Sequence, residues 1–191
     1  MSRQEQKREE TRILLVNTAL QLFSRNGYDA TSIRAIATEA GVSLGLLYNY
    51  FEGKEALLLE IFQQGNKDIE ASFANAEANA AAEAGDRLAQ HIRQTVQILK
   101  EKKAFWRLLH SLRLQSKVVA HVVEETKAQT AFVESQIKQY LLKAGIPNPD
   151  LEAKLLFAAI DGMANHYLLL EDYPIDEIAD LLIQKYRQPK S

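Results

Sequence analysis

The chain contains no cysteine. That removes disulfides, thiolate zinc sites and cysteine nucleophiles together, and it fits a reducing compartment. Proline is scarce, with four residues, and the eight glycines are scattered, so no long linker divides the 191 residues. One large domain, or a small one joined to a larger one, suits that length. Long apolar runs are missing too. The longest is "LLFAAI", Leu155 to Ile160, far short of the ~20 residues of a membrane helix. The amino terminus, "MSRQEQKREE", has no apolar stretch of the kind a secretory signal requires. Excess charge of one sign is also absent. Net charge is −2; residues 1–54 carry 7 Lys/Arg against 6 Asp/Glu, and the remainder 16 against 19. Charge alone therefore does not point to nucleic acid. These absences lead to the expectation of a soluble, cytoplasmic protein with no membrane partner.

Apolar residues, in contrast, make up 47% of the chain, enough for a sizeable core, and nearly all of them recur at helical spacing. Leu15, Ala19, Leu22 and Phe23 form one stripe, which "NGY" ends, with Gly27 in a left-handed terminating role. Thr31 or Ser32 can cap a second helix with Ile33, Ile36, Ala37 and Ala40 inward. Ser43 can cap a short one to Phe51, and Lys54 starts a long one whose end is alanine-rich, with 8 alanines from Ala71 to Ala84. Further helices are expected from Asp86 to about Lys100, from Ala104 to Leu114, and from Val118 to Ala144 through Val119 and Val122. "GIPNPD" is a break in which Asn148 caps and Pro149 opens the next helix, to about Glu171; Pro174 precedes the last, Ile175 to about Arg187. No segment has a strand period, so the fold class is all-α with about nine helices.

The stretch "GVSLGLLYNYFEGKEAL", Gly41 to Leu57, suits neither one helix nor a strand. Its spacing matches a helix-turn-helix. Ala37 is small where the second helix crosses the first, and Gly41, four positions on, tolerates a left-handed turn. Ile36, Ala40, Val42 and Leu47 lock the pair together. The second helix of such a motif lies in the major groove with its N-terminal half on base edges. Leu47 and Phe51 point inward, leaving Gly45, Leu46, Asn49 and Tyr50 for DNA. Gly45 permits close backbone approach, Leu46 suits thymine methyls, and Asn49 suits a base edge or phosphate. The hydroxyls of Thr31, Ser43 and Tyr48, with the charges of Arg34 and Lys54, suit phosphate oxygens. The bland alternative is that the aromatics, Tyr50 above all, close a small core.

"ALQLFSRNGYDATSIRAIATEAGVSLGLLYNYFEGKEALL" resembles the N-terminal domain of the TetR family of transcriptional regulators. The likeness rests on Leu22-Phe23 with Gly27, on Thr31, and on "IA…AGVS.G.LY.YF..KE.L" from Ile36 to Leu57. It implies a DNA-binding domain over residues 1–53, a helical effector-binding and dimerisation domain over residues 54–191, and a homodimer. It also implies operator contacts at Thr31, Ser43, Gly45, Tyr48, Tyr50 and Lys54. Leu44 departs from the pattern, since many members carry a polar or basic residue there. With Leu46 it makes the recognition helix apolar, which predicts A·T-containing half-sites.

Leu151 to Leu170 is apolar on nearly every side, so both faces want burial. The dimer interface is expected at Leu155, Ala158, Ala159, Gly162 and His166 of this segment, with Ile178, Leu182 and Tyr186 of the last helix. An effector pocket, for a lipophilic or aromatic small molecule, is expected among Phe105, Trp106, Leu109, His110, Phe132, Gln136 and Asn165. The histidines, His91, His110, His121 and His166, show no di-iron or HExxH spacing, and no catalytic motif is visible. The expected function is a ligand-responsive DNA-binding regulator, a repressor released from a palindromic operator by its effector, without cofactor, metal or enzymatic activity. The alternative is a helical adaptor with a vestigial helix-turn-helix.

Overall fold

The computed structural model describes residues 2–78, 84–112 and 120–187. Among these it contains nine helices and no strand: α1 (Arg3–Asn26), α2 (Ile33–Glu39), α3 (Leu44–Tyr48), α4 (Lys54–Ala78), α5 (Ala84–Glu101), α6 (Lys103–Leu112), α7 (Ala120–Lys143), α8 (Pro149–Leu169) and α9 (Ile175–Arg187). Leu114, Val118 and Val119, expected in helices, lie outside the described residues, as does the side chain of Val122.

Local chemistry sets most helix ends. Ser2 and Glu5 form a reciprocal capping box that opens α1 at Arg3. Gly27 ends α1 with φ 86° and ψ 152°. That is positive φ as expected, but extended rather than left-handed helical, a state open to glycine alone. Ser32, not Thr31, caps α2, its Oγ accepting from the Ala35 N–H at 3.1 Å. Gly41 and Gly145 terminate α2 and α7 by the same device. The glycine N–H and the following N–H turn back onto the last-turn carbonyls: Gly41 to Thr38 and Val42 to Ala37, Gly145 to Leu142 and Ile146 to Leu141. Pro149 stands at the first turn of α8, but Asn148 is left-handed and its side chain makes no capping bond.

The chain forms two compact units. The first comprises residues 1–65 and 104–124. Its core draws Leu15, Ala19 and Phe23 of α1, Ile36 and Ala37 of α2, Leu47 of α3, Leu57, Leu58 and Phe62 of α4, and Phe105 and Leu108 of α6. Gly65 is buried beneath the Phe105 ring, and a Cβ built there would lie 2.8 Å or less from three ring atoms.

The second unit comprises residues 66–103 and 125–191. Leu88, Ile92, Val96 and Leu99 form the buried stripe of α5, and Ile137 and Leu141 that of α7. Lys100 pairs with Asp176 and Arg93 with Asp180, tying α5 to α9. Helix α8 is apolar on both sides, as expected from its sequence. Ala153, Leu156, Ile160 and Met163 are buried, whereas Leu151, Leu155, Ala158, Ala159 and Leu169 are exposed. Helix α4 contributes residues 54–65 to the first unit and its remainder to the second.

Candidate nucleic-acid interface

The five residues of α3 are oriented from both ends. Ser43 Oγ accepts from the Leu46 N–H at 3.1 Å and opens the helix. The expected helix to Phe51 stops at Tyr48, yet the Tyr50 and Phe51 N–H groups both bond to the Leu47 carbonyl, which tightens the last turn. Leu47 is fully buried and Phe51 nearly so, which fixes the rotation of α3 about its axis. Gly45, Leu46, Tyr48 and Asn49 are thereby turned outward; Leu46 is 37% exposed and Tyr48 50%. Leu46 and Tyr48 are the large side chains that this helix, anchored by buried Leu47, leaves exposed. Nothing stands within 4 Å of a Cβ added at Gly45.

The other candidate residues are placed differently. Leu44 and Tyr50 are half-buried and pack against the core, so of the two leucines Leu46 is the exposed one. Arg34 is exposed on α2. Thr31 is 3% exposed; its hydroxyl donates to the Gly27 carbonyl at 2.7 Å, with the Leu22 carbonyl 3.4 Å away. Here the hydroxyl closes the α1–α2 loop. Lys54 is likewise engaged within the protein. Its Nζ donates to the carbonyls of Tyr28 at 2.9 Å, Thr31 at 3.3 Å and Asp29 at 3.4 Å, and lies 4.3 Å from the Tyr28 ring centroid. An ammonium has three protons, and each is matched to one carbonyl. The loop carbonyls thus gain a cation, and the first turn of α4 is tied to the loop before α2. Burial, with Glu55 and Asp29 nearby, pushes the Tyr28 phenol up to about 12, so the ring beneath the cation stays neutral.

The seven residues expected around an effector fall in separate units. Phe105 and Leu109 are buried, and Trp106 and His110 half-buried, in the first. Phe132, Gln136 and Asn165 are half-buried in the second. Sequence reading weighed His91 as a metal ligand alone; it is 3% exposed and stacks on Phe73 at 3.8 Å between centroids. The signal was present: His91 shares the α5 stripe of Leu88 and Ile92. Of the expected dimer residues, Leu155, Ala158, Ala159 and His166 are exposed; Gly162, Ile178, Leu182 and Tyr186 are half-buried. Tyr186 donates to Glu152 at 2.9 Å. Among the described residues no group of three or more metal-ligating side chains stands together, and no helix is long and apolar enough to cross a membrane.

A short anchored helix with an outward polar and apolar face, in an all-helical chain, defines a helix-turn-helix protein. Residues 15–61 match the family described as bacterial regulatory proteins, tetR family. The chain is 47% identical over 53 residues to the uncharacterized HTH-type transcriptional regulator YuxN of Bacillus subtilis, covering 28% of this chain and 18% of that protein. It is 34% identical over 73 residues to the HTH-type transcriptional regulator UidR of Escherichia coli K12, covering 38% of this chain and 37% of that one. The match thus spans well under half the length of both relatives. In fold, the chain resembles a TetR-like transcriptional regulator from Rhodococcus sp. RHA1, with TM-score 0.80 and 20% identity over 92% of this chain and 93% of that one. Residues 15–61 are thus similar to the N-terminal segment of tetR-family regulatory proteins, and the fold of the whole chain is similar to that of a TetR-like regulator.

Proposed function

We propose that this protein is a DNA-binding repressor that holds a palindromic operator as a homodimer and releases it when a lipophilic or aromatic effector binds. The observation that carries the reading is the presentation of α3: Leu47 buried, with Gly45, Leu46, Tyr48 and Asn49 outward. In the major groove these groups would meet base edges, and Leu46 would favour thymine methyls, hence A·T-containing half-sites. Ser43 and Arg34 flank them within reach of the phosphates. A single five-residue helix reads few base pairs, so two copies spaced about 34 Å apart, one helical turn of DNA, supply the specificity. The outer face of α8 supports a second copy: Leu155 is 62% exposed and Ala158 and Ala159 open a path for close helix approach. Effector binding would shift α4, which serves both units, and spoil the half-site spacing; this demands differential affinity for two states.

The test is a selection of bound duplexes from a random library, followed by binding at two salt concentrations. An enriched palindrome whose affinity falls steeply with salt, as counterion release requires, supports the reading. No duplex binding at either salt would sink it. Leu155→Glu should convert the dimer to a monomer by sedimentation and abolish operator binding; a variant still dimeric would remove α8 from the interface.

A further inference from the structure

We propose that the second unit receives its ligand between α5 and α7, at His91, Gln94 and Gln129, and that this ligand is a flat, uncharged molecule carrying both a hydrogen-bond donor and an acceptor. The inference rests on the ligand-responsive reading above and names the chemistry of that ligand. Among the described residues of this unit, three side-chain atoms are sealed from solvent and have no hydrogen-bond partner: His91 Nδ1, Gln94 Oε1 and Gln129 Nε2. Buried polar atoms are ordinarily paired, because one left unpaired has given up its hydration for nothing in return. Three together call for something that completes them.

They stand at one level of the bundle. Asn66 bonds Glu125, and Phe73 meets the Phe132 ring edge-on with a 5.7 Å centroid separation; both pairs have the same offset of 59 positions, so α4 and α7 run parallel. Phe73 stacks on His91 and Asp68 pairs with Lys102, so α5 runs antiparallel to α4. Gln94, one turn beyond His91, and Gln129, one turn before Phe132, therefore both lie level with residue 70 of α4. The aromatic cluster of Phe73, Phe132 and His91 lies one turn away along the same helices.

The donor set decides the ligand class. Gln94 offers an acceptor and Gln129 a donor. Burial holds the imidazole of His91 neutral, down at about 3. An anion at these three groups would find no cation among them, and stripping water from an unpaired charge is strongly unfavourable. A neutral amide or similar group on an aromatic ring answers both glutamines and stacks on the rings.

The probe is benzamide, with benzoate and toluene as controls, added to the full-length protein. The readout is the side-chain NH2 signals of Gln94 and Gln129 and the His91 ring signals by NMR. Benzamide should move all three in a saturable manner, with benzoate and toluene at least tenfold weaker, and Gln129→Leu should weaken benzamide at least tenfold while keeping the spectrum of the folded chain. Benzoate or toluene binding as tightly as benzamide would overturn the ligand class; no saturable shift with any probe would overturn the site. Operator binding in the same samples separates the two readings. Saturation of the cluster without loss of operator affinity would keep the site and end the ligand-responsive reading. Release of operator by a cell extract fraction that leaves these three signals unmoved would do the reverse.

Discussion

Replacing Gly65 by alanine sets two effects of known size against each other. Gly65 lies within α4, where alanine is favoured by about 1 kcal/mol through backbone entropy alone. The added methyl, however, would sit 2.8 Å or less from three atoms of the Phe105 ring. That ring is itself buried, meeting Phe62 edge-on at 6.0 Å and Trp106 at 5.4 Å between centroids, so it has no open side to step into. Overpacking of this kind costs about 1–3 kcal/mol. The clash should win, with a net loss of up to about 2 kcal/mol in urea unfolding followed by circular dichroism. Phe105→Leu, which lacks the ring tip, provides the control. In that background Gly65→Ala should be neutral or stabilising by up to about 1 kcal/mol, so its sign inverts. A coupling between the two sites below about 0.5 kcal/mol, or a Gly65→Ala variant more stable than the parent, would refute the steric argument.

Lys54→Met should cost about 1–3 kcal/mol of stability, because three loop carbonyls lose a charged donor. The same variant should leave the salt dependence of operator binding unchanged; a slope smaller by about one phosphate contact with stability intact would place Lys54 on the DNA. Gly45→Ala meets open space, so the folded chain should gain a few tenths of a kcal/mol to about 1 kcal/mol, while operator affinity falls in a fluorescence anisotropy titration. Unchanged affinity would show that the α3 backbone does not approach the duplex there. Burial holds the His91 imidazole down at about 3, against 6.5 ordinarily. Between those values the unfolded chain binds a proton that the folded chain refuses, so stability falls as pH drops through that window. The loss should reach about 1.4 kcal/mol at pH 5.5 and vanish in His91→Gln, as measured by urea midpoints; equal slopes for both chains would show that His91 is not buried neutral.

Residues 31–57 were legible in sequence because the forces that shape them are local. The Gly41 turn and the Ser32 and Ser43 caps act over at most five positions of chain, and periodicity alone marks Leu47 for burial. The two-faced apolar character of α8 is legible for the same reason, since helical spacing assigns each residue a side. Residue types alone left the roles of Thr31 and Lys54 open. A threonine hydroxyl and a lysine ammonium suit phosphate on chemical grounds. Whether they are available to phosphate depends on what the fold brings within 3.5 Å. For Lys54 that is a set of carbonyls 23 to 26 positions earlier in the chain.

The effector candidates show the same limit from the other side. Aromatic residues were chosen for their type, while the unpaired atoms of His91, Gln94 and Gln129 lie on three turns of two helices brought level only by packing against α4. Sequence by itself determined the all-helical class, the helix-turn-helix and the outward Gly45, Leu46 and Asn49, because capping, turn geometry and helical period are short-range; Tyr50, also expected outward, packs against the core. Tertiary structure decided which polar groups were already occupied, which glycine lies under a ring and which buried groups lack a partner. Those depend on contacts between residues tens of positions apart, which spacing along the chain does not encode.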